Sequence, residues 1–171
     1  MDPLIVTLEM DPRSRDFFDT VREAHFPPDR LFVGAHVTVF HKLPSDRMDA
    51  IVESLAGAAL ATGPLPFEVA EPFGLSKRGV AYRLDAPKAK SLKGRLVREW
   101  DFDLTQQDQG GLRPHVTVQN KVAPEVAAAT LDSLRATFEP SKGRFEALAL
   151  WWYRGGPWEA AGRWDFVGGD P

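Results

Sequence analysis

The chain has no cysteine among its 171 residues, which excludes a disulfide framework, thiolate catalysis and the cysteine-containing kinds of zinc site. It also lacks a large charge of one sign. Its 21 Lys and Arg against 24 Asp and Glu leave a formal net charge of -3. No global field therefore draws it to nucleic acid or to a membrane surface, and an anionic partner has to be met by a local patch. No apolar run approaches the roughly 20 residues of a membrane helix, and the opening "MDPLIVTLEM" has no basic segment followed by an apolar one. A soluble cytoplasmic protein with no membrane contact and no obligate protein partner is the expectation. The sequence also contains no Walker loop, dinucleotide-binding glycine fingerprint, His-Glu-x-x-His or Gly-x-Ser-x-Gly.

A hydrophobic content of 43% over this length is enough to bury a core in one domain or two intimate lobes. Periodicity predicts strands at 4–10, 31–43, 67–75, 79–86, 113–122, 143–154 and 162–168, and helices at 12–26, 44–61, 87–100 and 124–138. In the first helix Phe17, Val21 and Ala24 are expected to share one face. Ser45 is expected to cap the second helix, and Pro87 opens the third at a tolerated first-turn position. The polar stretch 105–111 reads as a loop, with Gly110-Gly111 a mobile connection. No low-complexity linker divides the chain, and the architecture expected is α+β with mainly antiparallel sheets and outer helices.

Histidine is scarce, with four in the chain, yet two of them stand in the same tetrapeptide: Ala35-His36-Val37-Thr38-Val39-Phe40 and Pro114-His115-Val116-Thr117-Val118-Gln119. With about 45% apolar residues and about 12% Ser or Thr, a given histidine falls in a His-apolar-hydroxyl-apolar setting roughly one time in forty. Two of four, each on a strand followed by a helix, point to a shared cause. On regular strands His36, Thr38 and Phe40 share one face, and so do His115, Thr117 and Gln119, while the valines face a core. Related by an approximate two-fold axis, the two strands would bring both imidazoles and both hydroxyls to one central groove. There one imidazole takes a proton, the other gives one, and the hydroxyls hold the nonbridging oxygens of a phosphate without a metal or other cofactor.

The paired motifs, the duplicated strand-helix order and the chain length resemble the 2H phosphoesterase superfamily, in particular its 2′-5′ RNA ligase-like (LigT-like) members, across nearly the whole chain. The resemblance implies a bilobal α+β domain over residues 1–171, with pseudo-two-fold duplicated antiparallel sheets, outer helices and a central groove. It implies a metal-independent phosphodiesterase that opens 2′,3′-cyclic phosphates, or acts on 2′-5′ linkages, at RNA ends or in nucleotides and leaves a 2′-phosphate. Carried over, His36 and Thr38 match the first motif and His115 and Thr117 the second, with His36 the proton donor and His115 the acceptor. The first motif departs from many members in running on as Val39-Phe40-His41-Lys42, so base-selecting residues are not inherited.

Other residues carry two readings each. Arg113, two before His115, is a candidate phosphate ligand or a solvated charge. Phe40 is a candidate for stacking on a nucleobase, as are Trp151 and Tyr153 in the aromatic group they form with Trp152 and Trp158; core packing is the alternative. His41 points away from His36, and His25 suits a helix end. Lys77, Arg78, Lys88, Lys90, Lys93, Arg95 and Arg98 read as solvated charges, with attraction of a longer RNA as the second reading. A binding module that holds the nucleotide without turning it over is the alternative function. Histidines as metal ligands form a third reading, and the absence of Asp or Glu from both motifs weighs against it.

Overall fold

In the computed structural model, which describes residues 1–31 and 33–169, seven antiparallel strands and five α-helices follow one another in a duplicated order. The first half runs β1 (Leu4–Met10), α1 (Pro12–His25), β2 (Val37–Leu43), α2 (Met48–Ala61) and β3 (Leu65–Leu75). The second runs β4 (Gly79–Asp85), α3 (Pro87–Glu99), the short α4 (Gln106–Gln109), β5 (His115–Gln119), α5 (Pro124–Ala136) and β6 (Ser141–Trp152), with β7 (Glu159–Asp165) appended.

The strands form one sheet in the order β2-β1-β6-β3-β4-β5, with β7 pairing β6 off this path. Exchanging each strand of the first half with its counterpart in the second reverses that order and leaves it otherwise unchanged. The sheet is thus a pseudo-two-fold object with its axis between β6 and β3, each half lending its last strand to the other. The two lobes are its two wings, and the histidine strands β2 and β5 are its two ends. Those ends contact one another, and α1 of the first half packs against β5 of the second.

One face of the sheet holds the core. Leu4, Val6, Leu8, Val116 and Val118 are all essentially inaccessible and pack with Phe18, Leu55 and Leu96 from the helices. The opposite face carries Ile5, Thr7, Ala81 and Ala149, none of which belongs to the main apolar cluster although each is buried. Small side chains in the middle of that face leave room above it.

Both histidine strands break their alternation at the same place. Thr38 pairs with Thr7, but the next pair is Phe40 with Val6, so Val39 is the extra residue of a bulge. In β5, Thr117 pairs with Ala81 and Gln119 with Val80, which makes Val118 the counterpart. A bulge lets two consecutive residues turn towards one side. Val39 and Phe40 are both buried, as are Val118 and Gln119. The second bulge also brings the Gln119 carbonyl so close to Gly79 that no Cβ fits there.

Several local expectations shift. The 31–43 strand begins only at Val37, because the residues before it are held by side chains of α1. Ser45 does not cap α2: it lies in a 3-10 turn (Ser45–Arg47), its buried hydroxyl finds no partner, and Arg47 holds the cap position. The 105–111 loop contains α4, capped by Thr105, whose hydroxyl accepts from the Asp108 amide at 3.2 Å. The fully buried residues of α1 are Phe18 and Arg22; Val21 is half-buried against the core, whereas Ala24 is exposed and Phe17 is 50% exposed. No helix among the described residues is long and apolar enough to cross a membrane.

Candidate active site

The two imidazoles are held in the same way. His36 Nδ1 lies 2.8 Å from the carbonyl oxygen of Gly34, and His115 Nδ1 lies 2.8 Å from that of Arg113, in each case two residues upstream. A carbonyl can only accept, so each Nδ1 carries the hydrogen and each Nε2 is left to gain or lose the working proton. Both rings are half-buried, as are Thr38 and Thr117. The duplicated His-x-Thr strand therefore presents, at each end of the sheet, one imidazole of fixed tautomer and one hydroxyl.

A residue that periodicity assigns to solvent ties the two ends together. Arg22, 5% exposed, donates from its guanidinium to the Val33 carbonyl at 2.8 Å and to the Thr117 carbonyl at 2.6 Å. One side chain thus joins the segment leading into His36 to the strand bearing Thr117. One turn earlier, Asp19 accepts from the Ala35 amide at 2.6 Å. Hydropathy patterning counts Arg and Asp as outward residues, so no periodic signal marks either as part of a site.

The His36 imidazole is electrostatically perturbed. Burial pushes the His36 imidazole down from 6.5 to about 4, against the Gly34 carbonyl, with the positive charges of Arg22 and His115 adding to the depression and Asp19 opposing it. The strands that carry His36 and His115 contact one another, and the charge of His115 is one of those that reach His36. With that value His36 is neutral at pH 7. An anion bound between the histidines favours the protonated ring and raises that value.

Aromatic rings flank both imidazoles. Trp158 lies 5.1 Å from His36, ring centre to ring centre, and 6.1 Å from Trp151. Trp151 donates its indole N–H to the hydroxyl of Thr7, the ladder partner of Thr38, at 2.9 Å. On the other side Phe73 meets His115 edge to face at 6.2 Å. Periodicity gives Trp158 no role of its own, because the turn between β6 and β7 that folds it back onto His36 leaves no periodic signature.

Phe40 is a correction. The bulge at Val39 turns it into the core, where it is fully buried against Trp100 at 5.0 Å with Lys93 over its ring, so it has no face to offer a base. Tyr153 lies beyond the end of β6, 43% exposed, its amide bound to the Pro3 carbonyl, and the ring contacts that join Trp151, Trp158 and His36 do not include it. Arg113 is exposed and borders a cavity of about 430 Å³ next to His115. His41, exposed, lies 3.4 Å from the buried Asp108, which accepts from the His41 and Lys42 amides at 2.8 and 2.9 Å. Asp108 thus clamps the free edge of β2, and Lys93, read as a solvated charge, is 4% exposed beside it. His25 ends α1, as expected. No group of three or more metal-ligating side chains occurs among the described residues.

Three solved structures share this arrangement of chain. That of TT0787 from Thermus thermophilus superposes with a TM-score of 0.67 at 14% identity, covering 99% of this chain and 100% of the other. That of E. coli LigT complexed with 3′-AMP gives 0.59 at 15%, covering 97% and 98%. LigT complexed with NADP+ gives 0.54 at 15% with the same coverage. No curated protein matches the chain. The family model of the 2′-5′ RNA ligase superfamily matches residues 10–157, a span that contains both His-x-Thr strands, their bulges and the Arg22 clasp. A pseudo-two-fold sheet that brings two such strands to one groove, matched over that length, makes this chain a LigT-like 2H phosphoesterase of the 2′-5′ RNA ligase superfamily.

Proposed function

We propose that the protein is a metal-independent phosphodiesterase that opens nucleoside 2′,3′-cyclic phosphates, or cleaves 2′-5′ linkages, and leaves a 2′-phosphate. The observation that carries this reading is the matched pair of histidines, each with Nδ1 on a carbonyl two residues upstream and Nε2 free for proton transfer.

In the reaction, water attacks the phosphorus, the bond from phosphorus to the 3′ oxygen breaks, and that oxygen takes up a proton. One Nε2 removes the proton from water and the other supplies the proton to the leaving oxygen. Thr38 and Thr117 donate to the nonbridging oxygens, where charge gathers in the transition state. The donor role that the resemblance implies for His36 is conditional on substrate. With a value near 4, His36 holds a proton at neutral pH only once the bound phosphate stabilises it. His115 then removes the proton from water. The Arg22 clasp keeps the two strands in register, and its charge adds to the positive field in which the anion sits.

Trp158 and Trp151 form the wall on the His36 side on which a base can stack. The name of one structural relative, LigT complexed with 3′-AMP, is consistent with a nucleotide in such a groove. The test is a panel of 2′,3′-cyclic mononucleotides and 2′-5′ dinucleotides assayed with and without EDTA, with the product phosphate located by NMR. The expected result is a 2′-phosphate formed at the same rate in EDTA. Binding of these compounds without any product over hours would replace the enzyme by a nucleotide-binding module.

A further inference from the structure

The cavity of about 430 Å³ beyond His115 is lined by three cationic side chains, Arg83, Lys90 and Arg113, together with Phe73, Leu75 and His115. It touches His115 but not His36, Thr38 or Thr117, so it adjoins the reacting position without being that position. Arg83 lies opposite His115 in the β4–β5 ladder and therefore shares its face. Its guanidinium is 4.8 Å from the centre of the Phe73 ring, an arrangement that orients the planar fork before any ligand arrives. Arg113 precedes His115 by two residues, and Lys90 comes from the first turns of α3. All three side chains are exposed.

The seven ion pairs found among the described residues include none of these three cations. In a chain with net charge -3, three unpaired cations converging on one pocket is a local reversal of sign. Two guanidiniums match the geometry of a phosphate, and Phe73 with Leu75 supplies an apolar wall for a sugar or base.

From this we infer that the pocket is a subsite for a second phosphate, and that the preferred substrate carries one on the far side of the ribose from the reacting phosphate. The inference rests on the proposed reading of the groove only for where the reacting phosphate lies. The second phosphate can belong to a 5′-phosphorylated mononucleotide or to the internucleotide linkage of an RNA end. The recognising chemistry is the same in both cases.

The first measurement is kcat/KM for adenosine 2′,3′-cyclic phosphate, its 5′-phosphorylated form and a diadenosine ending in a 2′,3′-cyclic phosphate. A second phosphate is expected to raise kcat/KM at least tenfold, mainly through KM. The double substitution Arg83→Gln, Lys90→Gln is expected to bring that ratio below about twofold. Preference for the 5′-phosphorylated compound identifies a mononucleotide substrate, and preference for the diadenosine alone identifies an RNA end. The second measurement is independent of turnover: calorimetric affinity for adenosine 2′,5′-bisphosphate against adenosine 2′-monophosphate, in the parent and the double variant. If no compound is hydrolysed but the bisphosphate binds tenfold more tightly and the variant loses that margin, the catalytic reading fails and the subsite stands. Equal affinity for the two nucleotides in the parent protein, or a preference that the double variant keeps, overturns the inference.

Discussion

The depressed His36 imidazole has a measurable cost in acid. Its ordinary value of 6.5 holds for the unfolded chain, while burial, Arg22 and His115 bring the folded value to about 4. Because the folded value is the lower one, the unfolded chain binds a proton between about pH 6.5 and 4 that the folded chain does not. Folding stability associated with His36 is therefore complete above pH 6.5 and is lost as pH falls through that window, to a total of about 3 kcal/mol. Between pH 7 and 5 the loss is about 2 kcal/mol. With an m-value near 2 kcal/mol/M for a chain of this size, that is about 1 M in the urea midpoint. His36→Gln removes the titrating group while keeping a polar side chain of similar reach. Urea unfolding of both proteins at pH 7 and pH 5 isolates the contribution, since His25, His41 and His115 are common to both. The parent is expected to lose about 2 kcal/mol more than the variant. Equal losses would show that the imidazole is solvated and that the electrostatic account of the groove is wrong.

Other outcomes follow from the same geometry. Arg22→Met removes two charge-assisted hydrogen bonds from a buried position, offset by relief of a buried charge, and should cost about 2–4 kcal/mol; it should also raise the His36 value seen by NMR, since a nearby positive charge has gone. Inorganic phosphate added to the parent should raise the same His36 resonance titration, whereas an unmoved value would mean that no anion binds between the histidines. Asp108→Asn should destabilise by about 2–4 kcal/mol in chemical denaturation: burial pushes this carboxyl up, but hydrogen bonds from His41 and Lys42 outweigh it and keep it below its ordinary value, and Lys93 beside it would be left without its counter-charge. Trp158→Ala should raise KM for a cyclic nucleotide several-fold with a smaller change in kcat, and an unchanged KM would remove the stacking wall from the site.

What could be read from the residues follows from what periodicity measures. The strand and helix order, the duplication and the two His-x-Thr pairs are local, and each is legible at its own position. The bulges are not, because alternation assumes a regular ladder; it accordingly places Phe40 on the wrong face, and Gln119 with it. Arg22 and Lys93 read as solvent-facing because a charged residue inside a helix pattern normally is, and the partners that make their burial tolerable lie far along the chain. Trp158 reaches His36 through a turn, which no period describes. The cationic pocket is equally hidden: Lys90 is one of a set of scattered helical charges, and Arg83 becomes a neighbour of His115 only through the β4–β5 register.

The central claim is that His36 and His115 exchange protons across one phosphate. The direct measurement is the rate of 2′,3′-cyclic nucleotide hydrolysis in EDTA for the parent protein, His36→Ala and His115→Ala, with thermal unfolding of each followed in parallel. Each substitution is expected to lower kcat by about 10²–10⁴-fold in a protein that remains folded. A parental rate in either folded variant would contradict the account.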